Sequence, residues 1–225
     1  MNPNKLMLIA RAFTKCSIKS FADLGGIWGV NGGYTFDTMT KHPGIKATLV
    51  DLHIDMRTTM LAKDYPNLRL IHGNFSKLGI IEKIGPVDAI FMFDVLLHQV
   101  DPNWDEVLAR YAESTKCFVI YNQMWTKAGP SVRLLDLGEK EYFKNVPHSG
   151  SPEYVDLFKK LDDIHPVHGI PWRNVHHIWQ WGITDYDLIL KMTQLGFNIR
   201  YMGLHGAWKG LPNIENHSFI FTKKE

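Results

Sequence analysis

Cysteine is almost absent from this chain: Cys16 and Cys117 are the only two, far apart in the sequence. That excludes a disulfide framework and any zinc site built mainly of thiolates. It fits a reducing compartment, so a cytoplasmic location is expected. An excess of one charge is lacking too, with 25 basic side chains against 23 acidic ones and no basic block beyond Lys223-Lys224. A polyanion-binding face is therefore not expected, and nucleic acid is disfavoured as a partner. No apolar run reaches the roughly 18–20 residues that a membrane helix needs, so no membrane association is expected. The short apolar stretch at 6–10 cannot serve as the core of a signal peptide. What the chain does have is ordinary hydrophobic content, 45% of 225 residues, with 12% aromatic. This suits one folded domain and excludes a disordered chain.

Periodicity divides the chain into three stretches. Residues 1–20 predict a short helix, with Leu6, Ile9, Ala10 and Phe13 at helical spacing. From 20 to 122, β-prone runs at 21–24, 47–52, 68–72, 89–93 and 118–121 alternate with helical segments at 33–41, 54–63, 77–83 and 103–113. Asp101-Pro102 places a proline in the first turn of the last of these helices. Strands separated in this way need crossover connections, so an α/β, doubly wound and mostly parallel sheet is expected.

Residues 123–182 break the rhythm. They carry four of the seven tryptophans (Trp125, Trp172, Trp179, Trp181) and five of the eleven histidines (His148, His165, His168, His176, His177). Gly129-Pro130, Pro147, Gly150 and Pro152 interrupt them, and short helices are expected at 135–143 and 153–161. Within a single domain of residues 1–225, so long a segment reads as an inserted cap at a binding site, one that opens below the cost of global unfolding. Order then returns. Thr184 predicts a helix cap and Gly196 the helix end, and two strands at 197–203 and 218–222 flank a loop at 205–216. Two strands in succession predict an antiparallel pair closing the sheet.

The most informative segment is Phe21-Ala-Asp-Leu-Gly-Gly-Ile-Trp-Gly29, a strand entering a glycine-rich turn. At the carboxyl end of a first parallel strand such a turn faces the crevice where α/β sheets bind nucleotides, and Gly25 and Gly29 let the backbone come close to a ligand. Asp51 ends the second strand, 22 positions beyond Gly29, where a carboxylate can accept ribose hydroxyls. A dinucleotide fingerprint is not met, because Ile27 stands at its second glycine position.

With Asp23, Gly25 and Gly29 in a D-x-G-x-x-x-G frame and Gly26 beside Ile27, the segment resembles the first motif of the class I S-adenosylmethionine-dependent methyltransferase family. Further along, His72-Gly-Asn74-Phe75, then Val87 to Phe93 followed by Asp94 and His98, then Gly196-Phe197 with Phe219 to Phe221 are similar to that family's later motifs in order. The resemblance implies a seven-stranded Rossmann-like fold with an antiparallel C-terminal hairpin, and S-adenosylmethionine as cofactor. It further implies cofactor contacts from Asp23, Gly25, Gly26, Gly29, Asp51, Leu52, Asn74, Phe75, Phe93 and Asp94. The Asn74 side-chain oxygen would accept the adenine amine.

Methyl transfer asks the protein to align nucleophile, carbon and sulfur, and needs a base only when the acceptor must lose a proton. The carboxyl ends of the fourth and fifth strands offer Asp94, His98, Tyr121, Asn122 and Gln123 for that role. His98, His176 and His177 are the expected catalytic residues, His98 as base and the other two as pocket residues. The histidine spacing matches no particular metal template, and no metal is expected. No Asn-Pro-Pro-Tyr-like step follows the fourth strand, and neither cysteine lies in a Pro-Cys context. The expected function is O- or N-methylation of a small-molecule or sugar-like acceptor. The alternatives are an RNA or protein methyltransferase and a cofactor-fold binding module without chemistry.

Overall fold

The computed structural model describes residues 1–147 and 152–224; His148 and Gly150 lie outside the described residues. The chain opens with α1 (Pro3–Lys15), capped by the Asn2 side chain. Strands and helices then alternate: β1 (Ser20–Leu24), α2 (Gly33–Lys41), β2 (Lys46–Asp51), α3 (Met56–Ala62), β3 (Leu68–His72), α4 (Leu78–Ile84), β4 (Val87–Phe93), α5 (Trp104–Ala112) and β5 (Thr115–Trp125). The middle segment holds the short strands β6 (Val132–Arg133) and β7 (Trp181–Gly182), paired as a ribbon, and the helix α6 (Glu139–Asn145). Helix α7 (Asp185–Gln194) and the hairpin strands β8 (Phe197–Ala207) and β9 (Ile214–Lys223) complete the chain.

The main sheet has seven strands in the order β3-β2-β1-β4-β5-β9-β8. β1 to β5 pair in parallel, and β9 runs antiparallel to both β5 and β8. The alternation along β4 shows why it forms. Ile90 and Met92 pack with Tyr111, Leu188 and Met192 of α5 and α7, while Ala89, Phe91 and Phe93 pack with Leu8, Ile9 and Tyr34 of α1 and α2. A strand buried on both faces needs a nearly continuous apolar run, and Ala89–Met92 supplies it. A third core, built on Leu134, Tyr142, Leu157, Ile178 and Trp179, lies within the middle segment and joins the sheet through Leu97 and Trp125. The strand order reverses between β1 and β4, so the crevice at their carboxyl ends is the place where this architecture binds ligands.

Several local expectations shift. The buried face of α1 is Lys5, Leu8, Ile9 and Ala12, while Ala10 is exposed. The helix is rolled toward the sheet because Lys5 has an ionic partner there, Asp94. α5 begins at Trp104, so Pro102 precedes it rather than sitting in its first turn. β5 runs well past residue 121 because Asn122 to Trp125 stay paired with β9 after the pairing with β4 ends at Tyr121. The loop expected at 205–216 shrinks as β8 and β9 extend into it, with register shifts between Leu204 and Ala207 around Gly206 at φ +80°. The helix expected at 153–161 is a single 3₁₀ turn, Leu157–Lys159, since Asp156 before it adopts a left-handed φ of +51°.

Candidate active site

The glycine-rich turn after β1 is shaped by what lies under it. The Asp23 carboxylate is buried, accepts Thr35 Oγ1 at 2.7 Å through Oδ2, and has no partner for Oδ1. A Cβ at Gly26 would come within 2.4 Å of that Oδ2, and one at Gly25 within 2.7 Å of Val95 Cγ1. Both positions therefore exclude any side chain. At Gly29, φ +73°, a Cβ would meet nothing within 4 Å, so it is the left-handed backbone that disfavours a side chain there. Desolvation pushes the Asp23 carboxyl up to about 6, a rise that the Asp51 charge reinforces and the Thr35 bond opposes.

Asp51 closes the crevice from the β2 side. Its Oδ2 accepts the backbone N–H of Ile27 and its Oδ1 that of His53, both at 3.0 Å. Each oxygen keeps a lone pair for a further donor. Leu52 next to it is 50% exposed and free to lie against a planar group. Beyond β3, Asn74 Oδ1 accepts both the N–H of Ser76 at 2.9 Å and its Oγ at 2.7 Å. That oxygen is committed, so the acceptor expected for an adenine amine is not available; the free group of Asn74 is its N–H₂. Phe75 packs against the first core, and its carbonyl accepts Tyr111 Oη at 2.6 Å. Phe93 turns under α1, between Phe91 and Tyr34, as part of the second core.

At the end of β4 the chain turns through Asp94 at φ +58°. Asp94 is held from two sides: Oδ2 pairs with the Lys5 ammonium of α1, and Oδ1 accepts Gln123 Nε2 at 2.8 Å. Lys5 is only 7% exposed and lies 5.1–5.9 Å from the ring centroids of Tyr121, Tyr34 and Phe93. Asn2 clamps the same helix end, donating through its backbone N–H to Tyr34 Oη at 2.8 Å and through Nδ2 to Tyr121 Oη at 3.2 Å. Sequence reasoning missed Lys5, because a lysine was not counted on the apolar face. The available signal was its spacing, three, four and seven residues before Leu8, Ile9 and Ala12.

The three expected catalytic histidines separate. His98, on the 3₁₀ turn Leu96–His98, donates Nδ1–H to the Ile178 carbonyl at 3.0 Å, edge-on to Trp179. His176 donates Nδ1–H to the His98 carbonyl at 3.1 Å. Both rings therefore carry the proton on Nδ1 and leave Nε2 as a lone pair. Desolvation lowers both below the usual imidazole value, so both are neutral at pH 7. Asp94 pulls His98 the other way, while nearby Lys77 pushes His176 further down. His177 turns outward and is exposed, its ring 5.1 Å from that of His168. His165 is buried nearby, its Nδ1 accepting the backbone N–H groups of Val167 and His168. Among the described residues, no group of three or more His, Cys, Asp or Glu side chains could hold a metal ion.

Trp179, edge-on to His98, meets Trp208 at a 54° tilt with ring centroids 5.1 Å apart, and Trp181 Nε1 donates to the Gln99 carbonyl at 2.8 Å. Leu97 accepts the backbone N–H of Gln180 at 3.1 Å. The middle segment is thus stitched to the loop after β4 and carries an aromatic wall to its edge. No helix among the described residues is long and apolar enough to cross a membrane.

No protein-family model and no curated protein matches the chain. Solved structures do. The N-terminal domain of EvdMO1 with SAH bound superimposes with a TM-score of 0.63 at 11% identity, over 98% of this chain and 81% of its own. The 1,6-didemethyltoxoflavin-N1-methyltransferase of Burkholderia thailandensis, solved with 1,6-didemethyltoxoflavin and S-adenosylhomocysteine, gives 0.61 at 15% identity, covering 100% of this chain and 78% of its own. Magnesium protoporphyrin IX methyltransferase (ChlM) of Synechocystis PCC 6803, with SAH bound, gives 0.58 at 12%, covering 99% and 83%. With the strand order, the terminal hairpin and these superpositions together, the chain has the class I methyltransferase fold.

Proposed function

We propose that the protein transfers a methyl group from S-adenosylmethionine to a small-molecule acceptor, at oxygen or nitrogen. One observation carries the reading: the Asp51 carboxylate and the glycine turn meet at the sheet's switch point, joined by the Ile27 N–H to Asp51 bond. The neighbours of like fold named with an acceptor act on small molecules, 1,6-didemethyltoxoflavin and magnesium protoporphyrin IX. The residues present fit the cofactor. Asp51 keeps two lone pairs for adjacent hydroxyls, Leu52 offers an exposed apolar face, and the turn at Gly25 and Gly26 has no side chain in the way.

When bound, the cofactor supplies an electrophilic methyl on a positively charged sulfur. Around it, Asp51 would hold the ribose, Leu52 the adenine face, and the Asn74 amide would donate rather than accept. Asp94, fixed by Lys5 and Gln123, sets the wall beside the acceptor. His98 Nε2 is the group suited to take a proton from an acceptor hydroxyl or ammonium, since its Nδ1–H is spent on Ile178. Trp179 and Trp208 exclude water and favour an apolar or planar acceptor. Residues 123–182 act as the acceptor cap in this reading.

The test is calorimetry with S-adenosylhomocysteine, followed by transfer of labelled methyl to candidate acceptors. Saturable binding at one site with label passing to small molecules is the expected result. A protein that binds no S-adenosylhomocysteine would overturn the proposal.

A further inference from the structure

The site described above makes no use of the two cysteines. Although 101 positions apart, their sulfur atoms lie 2.9 Å from each other. Cys16 is the residue after α1, with extended backbone at φ −130° and ψ 138°, and it is half-buried. Cys117 is in β5, buried in the core between sheet and α1. Cys16 is therefore the less buried residue of the pair.

Their surroundings differ in kind. The Cys16 thiol is lowered chiefly by the hydrogen bond from Cys117, against its own partial burial, with help from the charges of Arg200 and Lys15. The Cys117 thiol is pushed up by the same bond and by burial. A half-buried, thiolate-prone cysteine thus sits beside a buried one that holds its proton.

We infer that Cys16 and Cys117 form a reversible oxidation site, at which a low-molecular-weight disulfide such as glutathione disulfide converts the two thiols into one bond tying α1 to β5. The Cys16 thiolate attacks one sulfur of the oxidant and expels a glutathione thiolate, leaving a mixed disulfide. Cys117 then gives up its proton and attacks the Cys16 sulfur, expelling the second glutathione thiolate. Two protein thiols are oxidised, one glutathione disulfide is reduced to two glutathiones, and the two protons pass to the two leaving thiolates. A disulfide needs about 2.05 Å between its sulfurs, so the pair must close by roughly 0.9 Å.

The bond acts on the helix that serves the candidate site. The first turn of α1 carries Lys5 to Asp94, and Cys16 marks its other end. Oxidation would fix α1 at both ends; reduction leaves it held by packing and the Lys5 and Asn2 contacts. This inference does not depend on methyl transfer.

The experiment exposes the native full chain to glutathione buffers of rising disulfide fraction, quenches with acid, alkylates after unfolding and weighs the products. The wild type is expected to lose two hydrogens and take up no alkyl group, with residues 16 and 117 linked in its digest and dithiothreitol reversing the change. Cys117→Ser should retain one glutathione on Cys16, and Cys16→Ser should stay unmodified on the same time course. The oxidised wild type should melt several degrees above the reduced form, because a long loop is closed. A wild type that keeps two alkylatable thiols, or that accumulates a stable glutathione adduct on Cys16, overturns the proposal. So does an oxidised form that melts no higher than the reduced one.

Discussion

Asp51 at the end of β2 accepts the backbone N–H of Ile27 at 3.0 Å, so one carboxylate both faces the crevice and pins the glycine turn across it. Asp51→Ala removes the pin and the acceptor together. The loss in S-adenosylhomocysteine affinity should be about 1.5–3 kcal/mol, the range for hydrogen bonds to a charged group. Asp51→Asn should do little better, since its amide must turn one N–H₂ toward a backbone N–H of Ile27 or His53. Calorimetry decides; unchanged affinity in Asp51→Ala removes this residue from the site.

Asp23 should behave in the opposite sense toward stability. Its folded value of about 6 lies above that of an unfolded aspartate. Between about pH 4 and 6 the folded chain binds more protons than the unfolded one, so stability falls as pH rises and then levels off. Asp23→Asn removes that charge burial while keeping an oxygen for Thr35. It should be about 1–3 kcal/mol more stable than wild type at pH 7.5, with the advantage gone by about pH 4. If the unpartnered Oδ1 serves the ligand, the same variant should bind S-adenosylhomocysteine more weakly. Urea denaturation across this pH range checks the sign; a variant less stable at pH 7.5 would refute it.

Lys5 and Asp94 make an unequal pair. Lys5 sits among Tyr34, Phe93 and Tyr121, whereas the Asp94 side chain is 38% exposed and has Gln123 as a second partner. Lys5→Met leaves a carboxylate that water can reach, at about 1 kcal/mol or less. Asp94→Ala leaves an ammonium in an aromatic enclosure, which should cost about 3 kcal/mol. Equal losses in denaturant titrations of the two variants would show that the enclosure does not desolvate Lys5.

The architecture was legible because its signals are local: a strand run into glycines, an acid at the end of the next strand, and a helix cap at Thr184. Glycine turns and buried strands such as Ala89–Met92 admit few residue types, so they announce themselves. The acceptor side was not legible in this way. Lys5 reads as a surface lysine until α1 is docked. His176 and His177 are adjacent in sequence but face different surroundings, because the chain between Trp172 and Trp179 follows no regular period. The oxygen of Asn74 departs from its expected role for a similar reason. Its competitor, Ser76, is two residues away and wins by forming a local turn.

The last prediction concerns the proton. His98 and His176 each commit Nδ1–H to a backbone carbonyl, and burial holds both below the usual imidazole value. His217 is the contrast. Burial opposes its charge, but Asp185 at 2.8 Å and Glu215 at 3.3 Å outweigh that and raise it. Ring nitrogen shifts followed by NMR should therefore show His98 and His176 titrating below pH 6.5 and His217 above it. A His98 that titrates above pH 6.5, as His217 should, would mean that burial does not favour its neutral, proton-accepting form. Once an acceptor is known, His98→Gln should lower turnover by about 10²–10⁴ and abolish the acidic limb of its pH profile. His177→Gln should leave both unchanged, because its ring faces His168 and solvent. If His98→Gln keeps wild-type turnover and His176→Gln loses the limb, the base is His176, and His98 serves only to hold its carbonyl toward it.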